Sequence, residues 1–521
     1  MRRYATPRYI PALTRTFSSS SRVLQRPQPS RYNFNPEPSF EETPAEQALR
    51  YPTLTAHDLF QLKEQPKGVK MLTRDFIEDS LYNPSYGYFS KEAIIFSDSS
   101  PDKGFDFLSL RDANAFQSAM AESYQNYADS GAIKGPGHQV WHTPTELFKP
   151  YYGQAIAQCL ISEYLLKYFP YEDFIIYEMG GGNGTLARNI LDYLRDEHPE
   201  VYDRTRYNII EISESLTKIQ KARVVDVHPC ARVINKSVFD WNTHEPAPCF
   251  FVALEVIDNF AHDMLRYDLK NLQPYQSIVT IDDSGDFSHL YAPVSDPLIK
   301  SFLSLRNTAG HRPALPRYLL SSPLRNIYRS LPFAPNLSPP VYIPTRLLTF
   351  LRILRQYFPR HKLLLSDFSS LPDSIEGYNA PVVQTRLRGS VVPCSTLFVK
   401  QGYFDIFFPT DFELLRDLYE LIMSRPISTT ETDLAALASR TSPLMTSTSS
   451  IELGARYFFS RGRRMPVDGV ISASGLPVGQ RKSNVFTHKE FLQTYAQLDA
   501  TRTRSGENPM LDYYTNVKFL F

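Results

Sequence analysis

The stretch FIIYEMGGGNGTLARNIL, residues 174–191, changes its character twice within a few turns of chain. Phe174, Ile175, Ile176 and Tyr177 form a short apolar run of the kind that makes a parallel strand buried on both faces. The run stops at Glu178 and enters a turn holding Gly180, Gly181, Gly182 and Gly184. From Thr185 the period becomes helical: Leu186, Ala187, Ile190, Leu191 and Leu194 recur on one face, with Arg188, Asn189, Asp192 and Arg195 between them. Strand, glycine turn and helix together bring backbone N–H groups and a helix N-terminus up to a ligand, since glycine has no Cβ to hold it off. The spacing is not the dinucleotide fingerprint G-x-G-x-x-G, whose third glycine would fall on Thr185.

What stands instead is E-x-G-x-G-x-G: Glu178, Gly180, Gly182 and Gly184. This resembles the first motif of the class I S-adenosylmethionine (SAM) methyltransferases, in which the turn passes the amino-acid end of the cofactor.

The chain around this motif has 521 residues, enough for one large α/β domain with additions or for two domains. An apolar fraction of 42% with 34 Phe supplies a core, and 40 Pro with 32 Tyr suggest long, proline-punctuated connections. A net charge of +1 gives no global field for nucleic acid or a membrane surface. The four cysteines (Cys159, Cys230, Cys249, Cys394) lie far apart without a C-x-x-C pair, so they read as thiols in a reducing compartment and no metal site is expected. No apolar run is long enough for a membrane span; even residues 155–169 contain Gln158, Ser162, Glu163 and Lys167.

Residues 1–36 carry seven arginines (Arg2, Arg3, Arg8, Arg15, Arg22, Arg26, Arg31), serines at 18–21 and no acid before Glu37. This is the composition of a mitochondrial transit peptide, and Arg15-Thr16-Phe17-Ser18 reads as a matrix-peptidase site. Cleavage after Phe17 removes four arginines and takes the net charge from +1 to −3. Residues 37–170 read as a helical and irregular N-terminal region. It includes a helix from Thr73 ending at Asn83-Pro84, an insertion at 98–140 and a long, mostly buried helix from about Gly153 to Phe169.

Beyond the glycine turn, strands are expected at Tyr207–Glu211, Arg232–Ile234, Phe250–Leu254 and Ser277–Ile281, with a helix capped by Ser213 after the second. Lys362–Leu365 is a further buried strand, and Leu397–Val399 and Tyr403–Phe408 are candidates for a reversed sheet edge. Alternating strands and helices mean a doubly wound parallel sheet, whose ligands lie beyond the carboxyl ends of the strands. Glu178, Glu211, Asp240 and Glu255 all stand at or just past such ends. The methyltransferase domain is expected over 171–425, a Ser/Thr-rich mobile region over 426–485, and a tail packing back on the domain over 486–521.

The ordered pieces resemble the MidA-like methyltransferases, the family of the mitochondrial complex I assembly factor that dimethylates a protein arginine. They are Asn83-Pro84-Ser85-Tyr86-Gly87-Tyr88, residues 178–186, Glu211-Ile212-Ser213, Glu255-Val256-Ile257-Asp258-Asn259, Asp367-Phe368 and Gly402-Tyr403-Phe404-Asp405-Ile406. They span roughly residues 70–412 and mark a divergent, fungal-type member. The family's N-E-x-x-D-A-L-P appears here as Leu254-Glu255-Val256-Ile257-Asp258-Asn259-Phe260-Ala261, so the loop on the substrate side has changed.

The resemblance implies a class I SAM-dependent methyltransferase with a Rossmann-like sheet, an N-terminal helical extension and insertions. It implies symmetric dimethylation of an arginine on a complex I subunit in the mitochondrial matrix. The glycine-turn amides (Gly180, Gly182, Gly184) suit the carboxylate end of SAM and Glu178 its cationic end. Glu211 can accept from the ribose hydroxyls and Asp240 from the adenine amine. Glu255 and Asp258, three residues apart on one exit loop, can hold an acceptor guanidinium and stabilise its charge. His262-Asp263 reads as a surface pair. A non-catalytic assembly factor that keeps the SAM-binding fold is the alternative expectation.

Overall fold

In a computed structural model of the chain, the described residues are 49–91, 93–95, 104–129, 139–141, 143–387, 390–423 and 483–521. The arginine-rich segment 1–36 and most of the Ser/Thr-rich region 426–485 lie outside them.

Seven strands form the principal sheet: β1 (Phe174–Met179), β2 (Thr205–Glu211), β3 (Ala231–Asn235), β4 (Cys249–Leu254), β5 (His361–Phe368), β6 (Val485–Thr487) and β7 (Val517–Leu520). Their order is β6-β7-β5-β4-β1-β2-β3. The five strands from β5 to β3 pair in parallel, whereas β7 runs antiparallel to β5 and β6 antiparallel to β7. The helices used below are α1 (Thr73–Tyr82), α2 (Tyr151–Lys167), α3 (Thr185–Glu197), α4 (Glu214–Gln220), α5 (Ser322–Arg329), α6 (Thr345–Tyr357) and α7 (His488–Tyr495). This is a class I methyltransferase fold.

β1 is buried along its whole length because both sheet faces are covered. Phe174 and Ile176 enter a cluster with Ile156 and Leu160 of α2 and Ile190 of α3. Ile175, Tyr177 and Met179 enter another with Leu347, Phe350 and Leu354 of α6. Gly153 lets α2 press on α3, for a Cβ there would stand 2.6 Å from Asn189 Cβ. In the 98–140 insertion, a helix at Ala113–Asp129 places Phe116 against Phe107 and Phe148.

Two strand expectations are corrected. Ser277–Ile281 is not part of the parallel sheet; it belongs to Pro274–Ile281, the centre of a second, antiparallel sheet with Val69–Leu72, Asp263–Tyr267, Phe287–Pro293 and Val341–Ile343. The cause is the turn that follows. Asp282 Oδ1 accepts from the N–H groups of Ser284, Gly285 and Asp286, closing a tight hairpin, whereas a parallel return needs a crossover of a dozen or more residues.

The reversed edge is also not built by Leu397–Val399 and Tyr403–Phe408. Asp405–Phe407 pairs with Val382–Leu387, whose other neighbour is Ser390–Pro393, in a separate small antiparallel sheet. β6 and β7, from the last 40 residues, occupy that edge instead. Phe491, Leu492, Met510 and Phe519 of this segment are fully buried in the α2–α3 cluster.

Candidate functional site

The glycine turn leaves β1 in left-handed backbone, with φ of 72° at Gly180, 53° at Gly182 and 79° at Gly184. Any side chain is disfavoured there, and space is short as well. A Cβ on Gly180 would lie 2.8 Å from Val256 Cγ2, and one on Gly184 2.8 Å from Val224 Cγ2. α3 begins at Thr185 with no side-chain cap from Gly184, so no capping side chain competes for its first amides.

Beneath the turn, Glu178 is buried and accepts from Tyr207 Oη at 2.9 Å. Burial, with the charge of Glu211 adding to it, pushes its carboxyl up to about 7. At the end of β2, Glu211 Oε1 accepts from the Ser213 N–H at 2.8 Å and Oε2 from Gln220 Nε2 at 3.0 Å. Gln220 Nε2 also donates to the Gly182 carbonyl at 2.8 Å, so one amide ties the carboxylate to the turn. Each oxygen of Glu211 keeps acceptor capacity for another donor. Asp240 closes a short 3-10 turn at Val238–Asp240, after β3, and is exposed. Its charge adds to the raised carboxyl of Glu78 on α1, so it stands toward that helix.

Glu146 braces the turn from the other side. It is buried and accepts from Thr185 Oγ1 at 2.5 Å and Asn183 Nδ2 at 3.3 Å, with Lys149 Nζ at 3.5 Å.

The loop after β4 holds the second group of acids. Glu255 has φ 53°, a conformation that costs a non-glycine residue roughly 1–3 kcal/mol and persists only where neighbours impose it. Its N–H donates to the Ser366 carbonyl at 2.8 Å. Asp367, at the end of β5, uses Oδ2 to accept from the N–H groups of Ile257 (3.0 Å) and Asp258 (3.1 Å). Asp258 is buried, and its Oδ1 accepts from the Asn259 N–H at 3.0 Å. Asn259 Nδ2 donates to Asp405 Oδ1 at 3.1 Å and to the Ile406 carbonyl at 3.0 Å, while Tyr82 Oη donates to the Asn259 carbonyl at 3.3 Å.

Glu255, Asp258, Asp367 and Asp405 are thus gathered around one loop, the three aspartates buried and Glu255 half-buried. Burial raises all four carboxyls, and Asp258 adds to the rise at each of the other three. Asp405 Oδ2 is buried without a hydrogen-bond partner, a position that a neutral carboxylic acid tolerates far better than a carboxylate. Among the described residues no group of three or more His, Cys, Asp or Glu is arranged to hold a metal ion.

The structure therefore brings Glu178, Glu211 and the glycines together at the ends of β1 and β2. It brings Glu255 and Asp258 together beyond β4, which pairs directly with β1. Asp240 is the outlying member. Sequence reasoning missed Gln220, Glu146 and the roles of Asp367 and Asp405 beside the loop. It also missed Tyr152 and Tyr514, whose hydroxyls are raised well above the usual tyrosine range by burial and then by the Glu255 charge. His262-Asp263 is not a surface pair. His262 is buried and stacked on Phe408 with centroids 3.8 Å apart, and Asp263 accepts from Arg74 and Thr345. Tyr86 and Tyr88 are buried too, and Gly402 packs so closely that a Cβ would meet the Tyr86 carbonyl at 1.8 Å; that motif braces the Asp405 strand.

This turn fits the proposed cofactor: Gly180, Gly182 and Gly184 hold it in left-handed backbone without side chains, and Glu211 is held with acceptor capacity left. Comparison with known proteins agrees. Residues 155–427 match the family described as "Putative S-adenosyl-L-methionine-dependent methyltransferase". A curated relative from Schizosaccharomyces pombe, "Protein arginine methyltransferase NDUFAF7 homolog, mitochondrial", is 25% identical over 338 residues, 60% of this chain and 67% of that protein. A solved structure from Burkholderia thailandensis, of a "likely methyl transferase" bound to S-adenosyl-homocysteine, is 15% identical. It covers 71% of this chain and 82% of that one with a TM-score of 0.42. The glycine turn with its two carboxylates, on a sheet of this strand order, and the match over more than half of the chain lead to one assignment: the chain belongs to the MidA-like family of S-adenosyl-L-methionine-dependent methyltransferases, and S-adenosyl-L-methionine is its cofactor.

Proposed function

We propose that the chain is a mitochondrial protein-arginine methyltransferase that dimethylates an arginine symmetrically on a subunit of respiratory complex I. The observation that carries this reading is the pair of acids Glu255, half-buried, and Asp258, buried, on the exit loop of the strand beside β1. An arginine side chain is protonated at every physiological pH, and carboxylates are the groups that hold and orient a guanidinium. The printed name of the yeast relative supports the arginine acceptor and the mitochondrial setting. The acid-free, arginine-rich residues 1–36 support entry into the matrix. The complex I target rests on the family resemblance.

In this reading Gly180, Gly182 and Gly184 present their amides to the carboxylate end of the cofactor, and Glu178 faces its cationic end. Glu211 accepts from the ribose hydroxyls and Asp240 from the adenine amine. The cofactor supplies an electrophilic methyl group on a sulfonium. Glu255 and Asp258 orient the acceptor guanidinium, and as its nitrogen gains the methyl group one of them takes the proton that must leave. Burial raises both carboxyls, the incoming guanidinium favours their ionised form, and the carboxylate so formed is the group that can accept the departing proton.

The test is methyl-arginine mass spectrometry of mitochondrial proteins with and without this chain, alongside calorimetry of S-adenosyl-L-methionine binding. Loss of a symmetric dimethyl-arginine peptide is expected in the chain's absence. Binding of the cofactor without any dependent methyl-arginine would leave the fold as a partner-holding assembly factor.

A further inference from the structure

Residues 297–366 contain no aspartate or glutamate but eleven lysines and arginines. Most of this stretch belongs to the core, through α6 and β5. Residues 312–335 are anchored to it by Leu315 and Leu319, and their outer side is left uncovered. Here the usual rule for a surface helix is inverted: Arg325 of α5 is buried and donates to the Leu319 carbonyl at 2.8 Å, while Leu324 and Ile327 point to solvent. Leu331 follows just beyond the end of the helix, and Phe333 at the tip.

Their relative exposures are 50% for Leu324, 61% for Ile327, 53% for Leu331 and 103% for Phe333. Tyr318 is exposed beside them, and so are Arg312, Arg317 and Arg329. Among the described residues no ion pair involves Arg312, Arg317 or Arg329, and Asp417 is engaged with His311 and Arg416.

The tip is also held in shape. Phe333 has φ 63°, and Pro332 and Pro335 flank it. The Leu331 N–H donates to the Tyr328 carbonyl at 3.1 Å and the Ala334 N–H to the Leu331 carbonyl at 3.2 Å. At the base, the Leu269 N–H donates to the Asn336 carbonyl and the Ser338 N–H to the Tyr267 carbonyl. A segment fixed in this way loses little conformational freedom when it docks.

We propose that residues 312–335 form a membrane-docking wedge for an anionic lipid surface, with Leu324, Ile327, Leu331 and Phe333 entering the headgroup–acyl boundary and Arg312, Arg317 and Arg329 meeting lipid phosphates. Charge and shape both select this occupant. Arginines without neighbouring acids match an anionic leaflet. Apolar side chains that protrude need a soft surface that closes around them, and a bilayer interface is one. No helix among the described residues is long and apolar enough to cross a membrane, so the contact is peripheral.

The full-length chain is tested by co-sedimentation with vesicles of phosphatidylcholine alone and of phosphatidylcholine mixed with phosphatidylglycerol. The parent should pellet with the anionic vesicles and release as salt is raised. The pair Ile327→Ser with Phe333→Ser should weaken that partitioning by about tenfold or more, and Arg317→Gln with Arg329→Gln should weaken it on anionic vesicles. Both pairs alter exposed residues, and unchanged melting temperatures will show that they fold. They also keep the arginines of residues 1–36, so a loss belongs to the wedge. A parent chain that stays in solution with anionic vesicles overturns the proposal, as does an Ile327→Ser/Phe333→Ser protein that pellets like the parent. Self-association of the parent without lipid, abolished by the same pair, would assign the face to a second copy and overturn it equally.

Discussion

Gln220 Nε2 donates to Glu211 Oε2 at 3.0 Å and to the Gly182 carbonyl at 2.8 Å, so the carboxylate assigned to the ribose and the turn assigned to the amino-acid end share one support. Glu211→Ala removes charge-assisted hydrogen bonds worth roughly 1.5–3 kcal/mol, about ten- to a hundredfold in affinity for S-adenosyl-L-methionine. Gln220→Leu leaves the carboxylate in place but loosens it, and a smaller loss of a few-fold is expected. Gly182→Val puts a β-branched residue at φ 53° and should abolish binding. Calorimetry on the three folded proteins checks the order; unchanged affinity in Glu211→Ala would move the ribose elsewhere.

Glu178 should make that affinity depend on pH. Its carboxyl is raised to about 7 by burial and by Glu211, so a good part of it is neutral at neutral pH in the free protein. A cationic ligand end favours the ionised form and lowers the value on binding. Affinity should therefore rise as pH increases through about 7, with protons released on binding, and Glu178→Gln should flatten the profile. Calorimetry in buffers of different ionisation enthalpy reads the released protons directly.

The buried acids beyond β4 and β5 predict an unusual stability profile. Glu255, Asp258, Asp367 and Asp405 are all raised in the folded chain, so between their ordinary values and the raised ones the native state binds more protons than the unfolded state. Stability contributed by these groups is then lost as pH rises. Relative to an Asp405→Asn variant, the parent's melting temperature should decline as pH rises from the ordinary carboxylate range through about 7, the value to which Asp258 is raised, because a neutral amide carries no buried charge at Asp405 Oδ2. Parallel melting curves for parent and variant across this range would refute it.

The last 39 residues should be indispensable. β7 pairs with β5 along Leu365–Phe368, and Phe519 stacks on Phe491 with centroids 3.9 Å apart. Ending the chain at residue 482 would expose the β5 edge and uncover the α2–α3 cluster, and an unpaired apolar edge aggregates. Insoluble expression of the shortened chain is expected; a soluble product with the parent's melting temperature would contradict the assignment.

That edge also shows what a sequence withholds. β1 with its turn and α3 could be read because strand, glycines and helical period are contiguous, and the acids Glu178 and Glu211 close runs of apolar residues. β6 and β7 have three and four residues, too few for a period to emerge, and they reach their places from the far end of the chain. Ser277–Ile281 had the composition of a buried strand, and only the turn at Asp282–Gly285 distinguished antiparallel from parallel. The supports of the acids were hidden for another reason. Asn259 and Asp405 are 146 positions apart, and Asp258 and Asp367 are 109 apart. Such pairs are set by packing of the second sheet and α1 on the loop, and no local pattern carries them.

The acceptor site is decided by Asp258. It is buried, three residues from Glu255, and its own N–H is gripped by Asp367. Asp258→Asn keeps the shape of the loop, including an oxygen for the Asn259 N–H, and removes only the capacity for charge. If this carboxylate orients the guanidinium or takes its proton, single-turnover methyl transfer to a mitochondrial extract should fall by roughly a hundredfold or more, while affinity for S-adenosyl-L-methionine stays within about twofold. An acid that merely trims the loop predicts the reverse, a shifted melting temperature with turnover per folded molecule preserved. Asp367→Asn separates positioning from chemistry. It disturbs the two N–H contacts that fix residues 257 and 258, so it should lower transfer and melting temperature together. Transfer at the parent rate by folded Asp258→Asn would remove the carboxylate pair from the reaction. Because Tyr86 and Tyr88 are buried against the Asp405 strand, the search would then turn to Glu78, held by Arg346 at 2.8 Å on the side where Asp240 stands.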